Sequence, residues 1–258
     1  MSEEIRAERR GEALWIRVDR PSARNAMTFA MYDEIAAVCR NANADPSLKA
    51  VVLTGSGDAF VAGTDIAQFV DFKEASQALE YERRMDAWLG AIEDVRVPTM
   101  AALRGPVVGG GLAIAAACDL RIAAPSARFG VPVARTLGNC FSAANLVRLA
   151  ALAGLGRVKE LVLTARLIDA AEARAIGLVT EVVASENALD VRVDELVQEL
   201  ASFAPLTLHA TKEMARRIRA RMMPEEAADL VALCYTSADF REGVAAFIAR
   251  RKPVWKGR

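Results

Sequence analysis

The residues whose types and spacing could do chemistry fall in two glycine-containing loops. The first is Ala59-Phe60-Val61-Ala62-Gly63-Thr64-Asp65-Ile66; the second is Arg104-Gly105-Pro106-Val107-Val108-Gly109-Gly110-Gly111, which opens into the apolar run Leu112 to Ala117. Glycine lets a backbone approach another group closely, and a helix start presents free N–H groups and a positive dipole end. A pair of such loops reads as an anion or oxyanion site built from backbone. Either cluster alone would serve equally to let a helix pack close to a strand. Neither fits G-x-G-x-x-G or G-x-x-x-x-G-K-[ST], so neither carries a nucleotide-phosphate motif. His209 is the only histidine, which excludes a histidine-cluster metal site and any triad needing two histidines. No metal or bound cofactor is expected.

The elements that must position these loops follow from hydrophobic patterning. Residues 13–20 alternate as a strand, 29–41 have helical spacing, and 49–54 form a buried-strand run. Residues 68–78 are weakly patterned between two candidate site elements, which suggests mobility, and a helix is expected from Leu79 to Asp94. Strands follow at Thr99 to Leu103, Leu120 to Ala123 and 128–130, with a last one at Leu178 to Val183. Residues 186–251 read as two or three amphipathic helices punctuated by Pro205 and Pro224. Strands separated by helices indicate an α/β fold with a parallel or mixed sheet.

Composition bounds the partners. The chain has 258 residues, 53% of them hydrophobic, and its 33 basic and 33 acidic residues balance. That balance argues against nucleic acid as partner. No run approaches the length of a membrane span, and Met1-Ser2-Glu3-Glu4 is unlike a secretion signal. Cys39, Cys118, Cys140 and Cys234 are scattered thiols, as in a cytoplasmic protein.

Taken in order, these segments resemble the crotonase (enoyl-CoA hydratase/isomerase) superfamily. The residues that carry the resemblance are 20–27 (Arg-Pro-Ser-Ala-Arg-Asn-Ala-Met), the two glycine loops, 164–173 with Gly177-Leu178-Val179, and 242–247 with 251–255. The resemblance implies a spiral of ββα turns over residues 1–200 that holds an acyl-CoA site. It also implies a helical oligomerisation region over 201–258 that makes a homotrimer or a dimer of trimers. Coenzyme A thioester would be substrate rather than cofactor. By family position the backbone N–H groups of Thr64 and Gly110 would hold the thioester carbonyl. Ala62, Asp65 and Ile66 would flank it, and Arg24, Phe247 and Lys252 would meet coenzyme A.

The same resemblance exposes a departure. Hydratases of this type supply one glutamate three residues after the oxyanion glycine and another after F-G-x-P; here those positions hold Ala113 and Val133, with Ala134 next. Glu82 and Asp86, one helical turn apart, are the candidate replacements, although Arg83 and Arg84 beside them also fit a solvated charged face. Residues 135–142 offer Arg135 to bind an acyl carboxylate, Asn139 to orient water or a carbonyl, and Cys140 as a thiol. The implied function is an acyl-CoA enzyme of the enoyl-CoA hydratase/isomerase type that stabilises a thioester enolate. An isomerase, decarboxylase, thioester hydrolase or non-catalytic acyl-CoA binder stands as the alternative.

Overall fold

The computed structural model describes residues 3–224 and 227–258; Met1 and Ser2 of the acidic N-terminus lie outside the described residues. Strands β1 (Ile5–Arg10) and β2 (Ala13–Val18) form an antiparallel hairpin. β2 then pairs in parallel with β3 (Ala50–Gly55), and β3 with β4 (Thr99–Leu103). β6 (Leu120–Ala123) and β9 (Glu181–Val182) complete a six-stranded sheet of order β1-β2-β3-β4-β6-β9. A second sheet holds β5 (Pro106–Val108), β7 (Arg128–Gly130) and β8 (Ile168–Asp169) in that order.

Both faces of the large sheet are covered, so β3 reads as an unbroken apolar run rather than an alternating one. Its Val51 and Leu53 join the core shared with helices α1 (Phe29–Ala42), α2 (Ala75–Glu93) and α3 (Gly110–Ala117). Ala50 and Val52 point the other way, onto Trp15, Met100 and Ile122. There they meet Leu189, Val193 and Val197 of a helix at Ala188–Ala201.

A repeat places the two loops. β4, β5 and α3 form one ββα turn; β6, β7 and the short helix α4 (Val133–Thr136) form the next. In the two earlier turns single bridges stand in for the short strand. Met27 pairs with Thr64 between β2 and α1, and Val61 pairs with Val107 between β3 and α2. The spiral of ββα turns is therefore present, and both glycine loops lie where a short strand or bridge gives way to a helix.

Beyond α4 come α5 (Ala143–Ala153), α6 (Leu155–Thr164) and α7 (Ala170–Ala175), and the helix at Ala188–Ala201 is α8. The C-terminal part adds α9 (Pro205–Ala220), α10 (Ala228–Tyr235) and α11 (Ala238–Ile248). Residues 186–251 thus hold four helices rather than two or three. α10 has only eight residues, and Ser237 starts a separate helix by accepting the Phe240 N–H at 2.9 Å. α10 packs on α2, and α11 on a 3₁₀ turn at Ile66–Phe69.

One strand lies outside those expected from the sequence, and two expected boundaries are corrected. β1 carries one fully buried residue, Ile5, because it is an edge strand, and so leaves little hydrophobic trace. The last strand shrinks to Glu181–Val182, since the Leu178 carbonyl is taken by Arg121 Nε at 2.8 Å instead of a strand partner. α2 begins at Ala75, where Gln77 Oε1 accepts the N–H groups of Lys73 (2.7 Å) and Glu74 (3.0 Å). Within the weakly patterned segment before it, the Phe69 ring packs 5.0 Å from Tyr81, 5.2 Å from Phe72 and 6.0 Å from Phe29, while Val70, Asp71, Lys73 and Glu74 are exposed.

Candidate active site

The first loop is held by the turn that precedes α1. Asn25 is fully buried at a φ of 58°, a left-handed conformation that asparagine tolerates better than most residues. Its Nδ2 donates to the carbonyls of Ser56 (2.9 Å) and Ala59 (2.7 Å), and its Oδ1 accepts the Arg20 N–H at 2.9 Å. Arg20 Nη1 in turn grips Asp65 Oδ2 at 2.7 Å. The bridge to Met27 uses the Gly63 carbonyl (2.9 Å) and the Asp65 N–H (2.8 Å). Peptide groups alternate along an extended segment, so the intervening Thr64 N–H faces away from Met27. It makes no hydrogen bond among the described residues.

The second loop closes against the first at Gly110. Gly109, at a φ of 53°, donates its N–H to the Gly130 carbonyl at 3.0 Å and turns the chain into α3. As the first residue of that helix, Gly110 has an N–H without an intrahelical acceptor. A Cβ built on Gly110 would overlap Tyr32 Oη, and would sit 2.9 Å from Thr64 Oγ1 and 3.5 Å from Thr64 N. Only glycine lets the two loops meet this closely. Behind them runs a hydroxyl chain in which Thr64 Oγ1 lies 2.9 Å from Tyr32 Oη and 3.2 Å from Tyr81 Oη.

Both loops open onto a cavity of about 550 Å³. Of the residues singled out from sequence, Thr64, Gly110, Glu82 and Asn139 line it, as do Arg24, Ala62, Asp65, Ile66 and Phe247. Three others are not brought to it. Asp86 points at Arg148, with its Oδ1 2.9 Å from Nη1, while Arg135 and Lys252 are exposed and outside the lining. Arg24 is the one cation among the described lining residues. Of the two positions where a glutamate was expected, Val133 lines the cavity and Ala113 is buried inside α3. His209 sits half-buried in a separate groove beside Phe203 and Leu206.

Glu82 is only 9% exposed. Burial pushes its carboxyl up to about 7, Asp86 adds to the rise, and the hydroxyls of Tyr235 and Ser142 oppose it. Tyr235 Oη donates to Glu82 Oε1 at 2.8 Å and accepts from Asn139 Nδ2 at 3.1 Å. Asp65, the other carboxylate in the lining, is occupied by Arg20 and by the Ala67 N–H at 3.1 Å. Burial also pushes the Cys140 thiol well above its ordinary range, which disfavours a thiolate nucleophile there.

The fold and the glycine-loop pocket define a class, and comparison with known proteins gives the family. The Enoyl-CoA hydratase/isomerase family matches residues 8–258. The crotonyl-CoA hydratase of Syntrophomonas wolfei is 37% identical over 240 residues, covering 91% of each chain. An enoyl-CoA isomerase/hydratase of Mycosarcoma maydis is 33% identical over 254 residues, 93% of this chain and 91% of that one. The crystal structure of an enoyl-CoA hydratase/carnithine racemase from Magnetospirillum magneticum superposes with a TM-score of 0.81. It is 33% identical and covers 100% of this chain and 97% of that one. The chain belongs to the enoyl-CoA hydratase/isomerase family and has the crotonase fold.

Sequence reasoning passed over Tyr32, Tyr81, Tyr235 and Asn25, and took Ser142 only as the end of the candidate segment 135–142. Asn25 lay within a quoted motif without a role. Tyr32 and Tyr81 fall on helical core faces, where an aromatic reads as packing. Tyr235 lies 153 residues from Glu82 along the chain, and no local pattern links them.

Proposed function

We propose that this protein forms and reprotonates a thioester enolate, with Glu82 as its single acid/base group. The thioester carbonyl oxygen would accept from the N–H groups of Thr64 and Gly110. Each such donor is worth about 10²–10³ in rate when negative charge develops on that oxygen. Ionised Glu82 would take a proton from the α-carbon of a 3-enoyl thioester, giving a dienolate, and return it to the γ-carbon as the double bond moves into conjugation with the carbonyl. The observation that carries this reading is a buried carboxyl, held by Tyr235 at 2.8 Å, in the cavity onto which both loops open.

One carboxyl favours allylic isomerisation over hydration. Hydration needs a group that activates water and a group that protonates the α-carbon, and Ala113 and Val133 supply neither. Arg24 would meet a phosphate of coenzyme A at the mouth, with Phe247 beside it. Since no second cation lines the cavity among the described residues, an acyl group with a free carboxylate would enter next to Glu82 unpaired, so uncharged acyl groups are preferred. A cytoplasmic homotrimer, or a dimer of trimers, with residues 201–258 as its oligomerisation region, belongs to the same proposal.

The test is mass spectrometry of 3-enoyl-CoA and crotonyl-CoA incubated with the protein in ¹⁸O-labelled water. Conversion of the 3-enoyl to the 2-enoyl thioester without ¹⁸O uptake supports the reading. Rapid addition of labelled water to crotonyl-CoA would make the enzyme a hydratase instead. Saturable binding without turnover of either would make it an acyl-CoA binder.

A further inference from the structure

We infer that Tyr235 and Ser142 form a two-hydroxyl clamp that orients the Glu82 carboxylate and favours its ionised form, with Asn139 and the first turn of α5 fixing the direction of both hydroxyls. The inference rests on the reading of Glu82 as the acid/base group and names the residues that position it.

The direction of each hydrogen bond follows from counting donors. A hydroxyl has a single proton, so a hydroxyl whose lone pair already receives an N–H is left to donate. Tyr235 Oη receives Asn139 Nδ2 at 3.1 Å, which leaves its proton for Glu82 Oε1 at 2.8 Å. Ser142 repeats the arrangement from another element. Its Oγ receives the Asn145 N–H at 3.4 Å as the N-cap of α5, and its hydroxyl lies near enough to Glu82 to favour the charged carboxylate. Two hydroxyls, each locked by an amide behind it, thus face one carboxylate, with Tyr235 at hydrogen-bond distance. The Asn139 orientation comes at a cost: its Oδ1 is buried without a partner among the described residues.

Every other group that bears on this carboxylate is either neutral or repulsive. Tyr81 on α2, Tyr32 on α1 and Cys140 are all pushed above their ordinary values, chiefly by burial, and stay protonated near neutrality. Asp86 repels charge on Glu82 from one turn along α2, while itself paired with Arg148. The two hydroxyls are the groups that favour the ionised form. Without them, burial and Asp86 act unopposed, and the base would be protonated at neutral pH.

The experiment is an infrared pH titration of the protonated carboxyl band in the full-length protein, with the band assigned to Glu82 by its loss in Glu82→Gln. Deuterium exchange at the α-carbon of a bound acyl-CoA is followed over the same pH range. Tyr235→Phe keeps the ring and removes only the hydroxyl; Ser142→Ala removes the other donor and a helix cap. The clamp predicts that Tyr235→Phe raises the Glu82 midpoint by about one pH unit or more, the size expected for a hydrogen bond to a charged group, and that Ser142→Ala raises it by less. It predicts a smaller rise in Asn139→Leu and a fall in Asp86→Asn. The exchange profile should move with the midpoint.

Midpoints unchanged in Tyr235→Phe and Ser142→Ala would overturn the clamp, whatever the activity. Midpoints that rise as predicted, while Glu82→Gln leaves α-carbon exchange intact, would support the clamp and overturn the catalytic role of Glu82. The two claims therefore fail separately.

Discussion

At the scale of single residues, the site depends on groups that are absent as much as on those present. Gly110 is needed because a side chain there would collide with Tyr32 Oη. Gly110→Ala should therefore lower turnover by about 10² through loss of oxyanion geometry. Adding Tyr32→Phe, which removes the colliding oxygen, should recover part of that loss in the double variant; steady-state kinetics of the two decides. Glu82 leads to a prediction about stability. An unfolded glutamate releases its proton near 4.5, whereas burial makes folded Glu82 hold it to about 7. Between those values the folded state binds more protons, so stability falls as pH rises through the window and levels off above it. Glu82→Gln should abolish that fall and be more stable than wild type near pH 8, by up to about 3 kcal/mol in denaturant unfolding. Thr64 and Gly110 could be named from the family resemblance and Glu82 as one of a helical carboxylate pair, and all three line the cavity. Tyr235 could not, because its meaning lies in a contact made across the fold.

At the scale of elements, two arginines hold the helices that carry the site. Arg121 is 4% exposed and anchors the far end of α3, donating to the carbonyls of Cys118 (2.6 Å) and Ala115 (3.3 Å). A cation at a helix C-terminus complements the dipole whose opposite end faces the cavity. Arg148 ties α5 to α2 through Glu93 (2.8 Å) and Asp86 (2.9 Å), and Glu93 also meets Arg219 of α9 at 2.6 Å. Arg148→Met should destabilise the protein by about 3 kcal/mol, because it leaves the buried Glu93 only partly paired. Chemical denaturation measures this, and a loss below about 1 kcal/mol, typical of exposed pairs, would contradict it. The parallel strands were readable from sequence because strands covered on both faces are apolar throughout. β1 escaped because an edge strand buries little. The packing of residues 66–74 escaped because aromatic residues spaced irregularly in sequence converge only in the folded chain.

At the scale of the whole molecule, the C-terminal helices do more than extend the core. α10 supplies Tyr235 and α11 supplies Phe247 to the cavity. α9 keeps no residue fully buried and exposes Leu206, Met214 and Ile218 at 77%, 58% and 68%. A single chain leaves that apolar face in water, and a second copy would cover it. Light scattering should give three or six times the 27.7 kDa chain mass, and Ile218→Glu should shift the population toward monomer. A wild-type monomer would contradict this. Among the described residues no helix is long and apolar enough to cross a membrane. The family and its fold could be read from ordered motifs spread along the chain, whereas the reaction could not, because Ala113 and Val133 stand where the resemblance leads one to expect glutamates.

The central claim is that Glu82 moves the proton. It is tested most directly by NMR of an acyl-CoA in deuterated water with wild-type protein and with Glu82→Gln. The account predicts protein-dependent deuterium incorporation at the α-carbon that falls by about 10²–10⁴ in the variant, with thioester binding retained. Equal incorporation in both proteins would contradict it and place the acid/base group elsewhere in the cavity.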